Sequence, residues 1–159
     1  AAAEAARRAA DILQKLGEND PAVSAYRRAI GLQDELVGDF PRNAVYRDDL
    51  ARILTNLGAL LDRTGHPVEA EQSHRRAIAL REALRSDFPD ASAYRDGLAL
   101  SLHDLGSMLR DLPGRSEESE HLLRLAVGLW EGLVTPPPGE REHRARLAYG
   151  CSTLGDLLD

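Results

Sequence analysis

The stretch LTNLGALLDRTGHPVEAEQSHRRAI, Leu54–Ile78, decides the fold. Leu54, Leu57, Leu60 and Leu61 recur in steps of three and four, which places them on one face of a helix. Gly65-His66-Pro67 breaks the pattern, because Gly ends a helix readily and Pro can open the next at its first position. Ala70, His74, Ala77 and Ile78 then form a second stripe with the same spacing. Followed outward, the first stripe reaches back through Ile53, Leu50 and Tyr46, and the second runs on to Leu84. The stretch therefore predicts two helices, over 43–64 and 67–86, joined by a short turn.

The same text recurs along the chain. Arg27-Arg28-Ala29-Ile30 returns as Arg75-Arg76-Ala77-Ile78, a shift of 48, and again as Arg124-Leu125-Ala126-Val127, a shift of 49. Asp39-Phe40-Pro41 and Tyr46-Arg47-Asp48 return 48 residues later as Asp87-Phe88-Pro89 and Tyr94-Arg95-Asp96. Leu57-Gly58 returns as Leu105-Gly106 and Leu154-Gly155, and Gly17 as Gly65. The extra residue of the third unit falls near Pro113-Gly114, in a turn, where an insertion does least harm. Asn19-Asp20-Pro21 reads as a helix start with Asp20 as its cap, and Ser116 before Glu117 and Glu118 as another. Asp-Phe-Pro closes the second helix of a unit, since the residue before Pro disfavours helical geometry. Thr135-Pro136-Pro137-Pro138-Gly139 is a stiffer closure for the third. The expected helices are 2–16, 20–37, 43–64, 67–86, 91–112, 116–134 and 140–158. The fold class is all-α, about seven helices in antiparallel pairs.

Composition narrows the function. The 159 residues are 43% hydrophobic, 4% aromatic and 29% charged, with a net charge of −6. That is helix-former composition, too apolar for a disordered chain. No apolar run approaches the roughly 18 residues of a membrane helix, and no signal peptide is visible. The acidic balance argues against binding nucleic acid through its phosphates. The single cysteine, Cys151, makes no internal disulfide and fits a reducing compartment, so a cytoplasmic location is expected. Cys151 lies on the expected apolar stripe of the last helix with Leu147, Leu154, Leu157 and Leu158, and is read as a small buried hydrophobe.

At this point the residues resemble a known family. Leu54, Leu57-Gly58, Leu61, Gly65, Ala70, His74 and Ala77 are similar to the tetratricopeptide repeat pattern. Leu102, Leu105-Gly106, Leu109, Ser119, Leu123 and Ala126 make a second copy, and Ala6, Ala9-Ala10, Leu13, Gly17, Ala22, Tyr26 and Ala29 a fainter one. Leu154-Gly155 and Leu158 open a fourth. The usual repeat is about 34 residues; a period of 48 adds close to four helical turns, which keeps the stripes in phase. This extended form resembles arrays in large multidomain bacterial proteins, some carrying kinase domains, although no kinase signature lies in these residues. The resemblance implies a right-handed solenoid over 1–159, with units of about 1–41, 42–89 and 90–138 and a terminal helix 139–159. It also implies close helix approach at Gly58 with Ala70 and at Gly106 with Ser119.

No catalytic, cofactor or metal constellation is readable. His66, His74, His103, His121 and His143 lack metal spacing, and no Gly-rich phosphate loop or nucleophile elbow exists. No enzyme is expected. Trp130 is assigned to the core, with a partner-facing anchor as the alternative. In the tetratricopeptide arrangement the inner face of the first helix of each pair lines a concave groove. The matching positions are Arg7, Asp11 and Gln14 in the first unit, and Arg52, Thr55, Asn56, Ala59 and Asp62 in the second. They are His103, Asp104, Ser107 and Arg110 in the third, and Ser152, Thr153 and Asp156 in the fourth. Family members that clamp a terminal carboxylate use Lys, Arg and Asn at several of these positions; Leu100 and Asp104 occupy two of them here, against such a clamp. The expected function is a protein-interaction scaffold that takes a protein or peptide partner in this groove. The alternative is a structural segment that self-associates through the ends of the solenoid, where Leu154, Leu157 and Leu158 would be exposed. Those ends lead to the expectation of either an excised piece of a longer array or a chain that self-associates through its ends as a homo-oligomer.

Overall fold

Gly17 and Gly65 hold backbone φ angles of +80°, and Gly114 holds +75°. A side chain is strained there, so Gly is the residue that lets the chain leave one helix and turn into the next. At the first two the carbonyls left over at the helix end are satisfied in the same way. The Glu18 and His66 amides donate back to the Leu13 and Leu61 carbonyls, both at 2.9 Å, and the glycine amides donate to Gln14 and Asp62 at 3.1 Å. This double bond pattern is the Schellman helix end.

The computed structural model describes residues 1–134 and 141–158. Among them are seven helices: α1 Ala2–Lys15, α2 Asn19–Asp39, α3 Ala44–Arg63, α4 Pro67–Asp87, α5 Ser92–Arg110, α6 Ser116–Val134 and α7 Arg141–Leu158. Each lies within two residues of its expectation. α2 begins at Asn19, and the residue at its cap is Glu18, which makes no side-chain cap bond. Asp20 therefore sits in the first turn, where its charge still suits the positive helix end, and the cap expected of it is corrected. Asn43 does cap α3: its side-chain oxygen accepts from the Val45 and Tyr46 amides at 3.0 and 3.3 Å. The expected closure at Thr135–Gly139 lies outside the described residues.

Two compact units emerge, Ala1–Leu80 and Arg81–Asp159. In the first, α1 packs on α2 and α2 on α3. Leu50, Ala51, Leu54 and Ala77 form a buried cluster, with Ile30, Val37 and Leu80 against it. α3 meets the first part of α4 at Gly58, where an added Cβ would lie 2.7 Å from His74 Nε2. His74 is itself buried.

In the second unit α5 packs on α6, α6 on α7, and α5 more lightly on α7. The core holds Leu105, Leu109, Leu123, Ala126 and Trp130, all fully buried. Gly106 repeats the role of Gly58, since a Cβ there would stand 2.9 Å from Leu123 Cγ. Ser119 donates from Oγ to the Gly106 carbonyl at 2.7 Å, so the small residues expected to meet do meet. Gly150 of α7 does the same against Trp130, at 2.7 Å from Cζ3. The close approach brings leucine faces into dense contact, and each fully buried Leu contributes about 1.5–3 kcal/mol.

Candidate functional site

In Ala1–Leu80 the expected inner-face residues form a network around Tyr26. Arg7, three residues after Glu4 and four before Asp11, reaches both carboxylates, at 2.8 and 2.6 Å. Asp11 Oδ1 accepts from the Tyr26 hydroxyl at 2.6 Å, and Gln14 Oε1 lies 2.8 Å from the same oxygen. Asn56 on α3 also hydrogen-bonds this hydroxyl. Burial, followed by the hydrogen bond to Asp11 and its negative charge, pushes Tyr26 ionisation well above the ordinary tyrosine value. The guanidinium groups of Arg7 and then Arg8 hold the Glu4 carboxyl down at about 2. Burial raises Asp49 despite the nearby Arg52.

Over this network lies an open cleft of about 520 Å³, lined by Asp11, Gln14, Lys15, Tyr26, Asn56, Ala59 and Arg63. The lining mixes carboxylate, amide, hydroxyl and cation, so it can both donate to and accept from a peptide backbone. Lys15 and Arg63, one period of 48 apart, occupy the last turns of α1 and α3.

The remaining sequence-predicted positions are distributed more variously. Arg52 is exposed and paired with Asp49. Thr55 is half-buried and turns its hydroxyl back to the Ala51 carbonyl at 3.0 Å. Asp62 is exposed. In Arg81–Asp159, Asp104, Ser107 and Arg110 are half-buried on α5, and Ser152 and Asp156 are exposed on α7. His103 departs from this set. It is only 4% exposed, its Nε2 lies 3.2 Å from Thr153 Oγ1, and its ring packs 4.8 Å from Tyr149 and 5.7 Å from Trp130. It joins α5 to α7 within the core.

α7 also turns differently from the expected stripe. Gly150 and Thr153 are buried and Cys151 is exposed, which corrects the reading of Cys151 as a buried hydrophobe. One residue along a helix is about 100° of rotation, so the face chosen by Gly150 against Trp130 leaves its neighbour outside. Trp130 is fully buried, as core packing requires.

One repeat position escaped the sequence reading. Gln33, Arg81 and Trp130 stand 48 and 49 residues apart, and each is buried with a side-chain nitrogen that donates to a neighbouring helix, Gln33 and Arg81 to the one that follows and Trp130 back to α5. Gln33 Nε2 bonds the Tyr46 carbonyl at 3.0 Å. Arg81 Nη1 bonds the Gly97 carbonyl at 2.7 Å and Ser101 Oγ at 2.6 Å. Trp130 Nε1 bonds Asp96 Oδ1 at 3.0 Å, and Arg146 pairs with the same carboxylate. The aligned residues share no chemistry beyond a donor nitrogen, which a search for identical residues passes over.

Among the described residues no three His, Cys, Asp or Glu side chains are grouped to hold a metal ion, and no helix is long and apolar enough to cross a membrane.

Two family models match, each described as a tetratricopeptide repeat, one over residues 3–35 and the other over residues 50–90. No curated protein matches the chain. Among solved structures, a de novo designed helical repeat protein is similar at 14% identity, over 98% of this chain and 77% of that one, with a TM-score of 0.45. The matched segments contain the Ala10–Tyr26 and Gly58–His74 positions on which the repeat spacing rests, and the chain carries tetratricopeptide repeats over residues 3–35 and 50–90.

Proposed function

We propose that the cleft of Ala1–Leu80 holds an extended peptide of a protein partner, and that the chain is a scaffold within a larger bacterial protein, acting in the cytoplasm. Tetratricopeptide repeats are in general protein-interaction scaffolds, and the observation that carries the reading here is the lining of the cleft. Asp11, Gln14, Tyr26 and Asn56 are held in place by one another before any ligand arrives, so little side-chain entropy remains to be lost on binding. Arg52 and Asp62 extend the surface on α3. On Arg81–Asp159 the positions Asp104, Ser107, Arg110, Ser152 and Asp156 supply a further set, whereas His103 is taken up by the core. Micromolar affinity, about −8 kcal/mol, is the expected strength.

The experiment is affinity capture from the source cells with mass spectrometry, comparing the wild-type chain with Gln14→Ala/Asn56→Ala/Arg63→Glu. All three side chains are on the surface of the cleft, and circular dichroism checks that the variant stays helical. A partner captured by the wild type and lost from the variant supports the cleft. Equal capture by both refutes it.

A further inference from the structure

The two units answer the same packing problem differently at one place. In Ala1–Leu80 the cluster Leu50, Ala51, Leu54 and Ala77 has Ile30, Val37 and Leu80 packed against it. Above it Arg76 on α4 pairs with Asp34 on α2. One repeat later, Leu98 and Leu102 stand for Leu50 and Leu54, and Glu82 stands for Asp34. Three counterparts change: Val37 becomes Arg85, Arg76 becomes Leu125 and Ala79 becomes Gly128.

Each change removes something that fills or seals the first unit. Arg85 is exposed, so the apolar plug supplied by Val37 is gone. Leu125 offers no cation to Glu82, and it stands 44% exposed. Gly128 leaves open space, since an added Cβ would meet nothing within 4 Å. The result is an open slot of about 320 Å³, with Leu98 and Leu102 among its lining, Leu125 and Leu129 beside them, and Glu82 and Arg85 on α4. That volume is at the lower end of ligand pockets, roughly 300–1,000 Å³, and suits a side-chain anchor.

We infer that this slot docks a partner segment carrying a branched aliphatic side chain with an arginine or lysine beside it. The aliphatic group takes the place that Val37 fills in the first unit. The cation completes Glu82 as Arg76 completes Asp34. Of the other two cations at the slot, Arg124 is tied to Glu120 at 2.6 Å, and Arg85 makes no ion pair among the described residues.

The test is solution NMR of leucine methyl groups during titration with capped tetrapeptides. The probes are acetyl-Ala-Leu-Arg-Ala-amide, its Leu-Glu counterpart and its Ala-Arg counterpart. The Leu-Arg peptide is expected to shift the methyls of Leu98, Leu102, Leu125 and Leu129 saturably, at millimolar Kd. Glu82→Gln is expected to weaken it roughly two- to fivefold, as for a solvent-exposed ion pair. The variant Arg85→Val/Leu125→Arg/Gly128→Ala transplants the filling of the first unit; it should abolish the shifts while melting no lower than the wild type. Leu-Glu binding as tightly as Leu-Arg overturns the assigned ligand. Methyls that stay still with every peptide, or a transplant variant that still binds, overturn the site.

Discussion

Gly58→Ala tests the idea that helix spacing in this chain is set by its small residues. The new Cβ would lie 2.7 Å from His74 Nε2 and 2.9 Å from both ring carbons beside it, where non-bonded carbon contacts prefer about 3.5–4.0 Å. The His74 ring is 2% exposed, so it must push into packed neighbours or α3 and α4 must separate. Overpacking of this kind costs about 1–3 kcal/mol. Against it stands the gain of replacing a helical Gly by Ala, about 1 kcal/mol. Gly31→Ala isolates the clash, because a Cβ at that exposed position of α2 meets nothing within 4 Å and only the propensity gain acts. The two variants should therefore differ by about 1–3 kcal/mol, with Gly31→Ala the more stable. Urea unfolding followed by far-UV circular dichroism measures both. Trp130 fluorescence adds a probe within Arg81–Asp159 and checks whether the transition is two-state. In a His74→Ala background the cost should vanish and Gly58→Ala should gain as much as Gly31→Ala. Equal stabilities for the two single variants would refute the reasoning, since the 2.7 Å approach would then carry no energy.

Ala70→Leu, at a fully buried position, is expected to lower stability by about 1–3 kcal/mol, read as a lower urea midpoint. Ser119→Ala leaves the buried Gly106 carbonyl without its hydroxyl donor and should cost about 1 kcal/mol, whereas Ala22 and Ala70 occupy the matching positions with no hydroxyl to lose. Tyr26 ionises later than an ordinary tyrosine, so the neutral form is the folded one. Its contribution is complete below the usual value of 10.0 and is lost as pH rises beyond it; Tyr26→Phe should delete the last phase of the alkaline absorbance titration. Glu4 runs the other way. Its carboxyl drops from 4.5 to about 2 in the fold, so its stabilisation is present above pH 4.5 and is lost as pH falls toward 2. Because the group is exposed, the loss is small and shrinks with added salt; an acid titration of the Glu4→Gln variant that matches the wild type at low salt would contradict the pairing.

The helices and their pairing were legible because the signals are local. Apolar steps of three and four, left-handed glycines at 17 and 65, and Asp-Phe-Pro stops act within a turn or two of themselves. The 48-residue period then makes each unit a check on the others, and it identified Gly106 with Ser119 as a point of close approach; Gly58 is a close approach too, but against His74. The family resemblance, position by position, also singled out Asp11, Gln14 and Asn56, which the fold brings together around Tyr26.

What sequence could not decide is how each helix rotates about its axis and what covers it. A periodic pattern cannot resolve a step of one residue, about 100°, and that step buried Thr153 and exposed Cys151. His103 shares a repeat position with the half-buried Arg7 and Thr55, yet it lies in the core because Tyr149 and Trp130 close on its ring. Repetition predicts the same environment at matching positions, but packing is a property of the whole neighbourhood. The exchange of Val37 for Arg85 and Arg76 for Leu125 is read in sequence as two ordinary surface substitutions. Only in three dimensions do they act on one volume, where Val37 packs on the cluster in one unit and Arg85 and Leu125 line an open slot in the other.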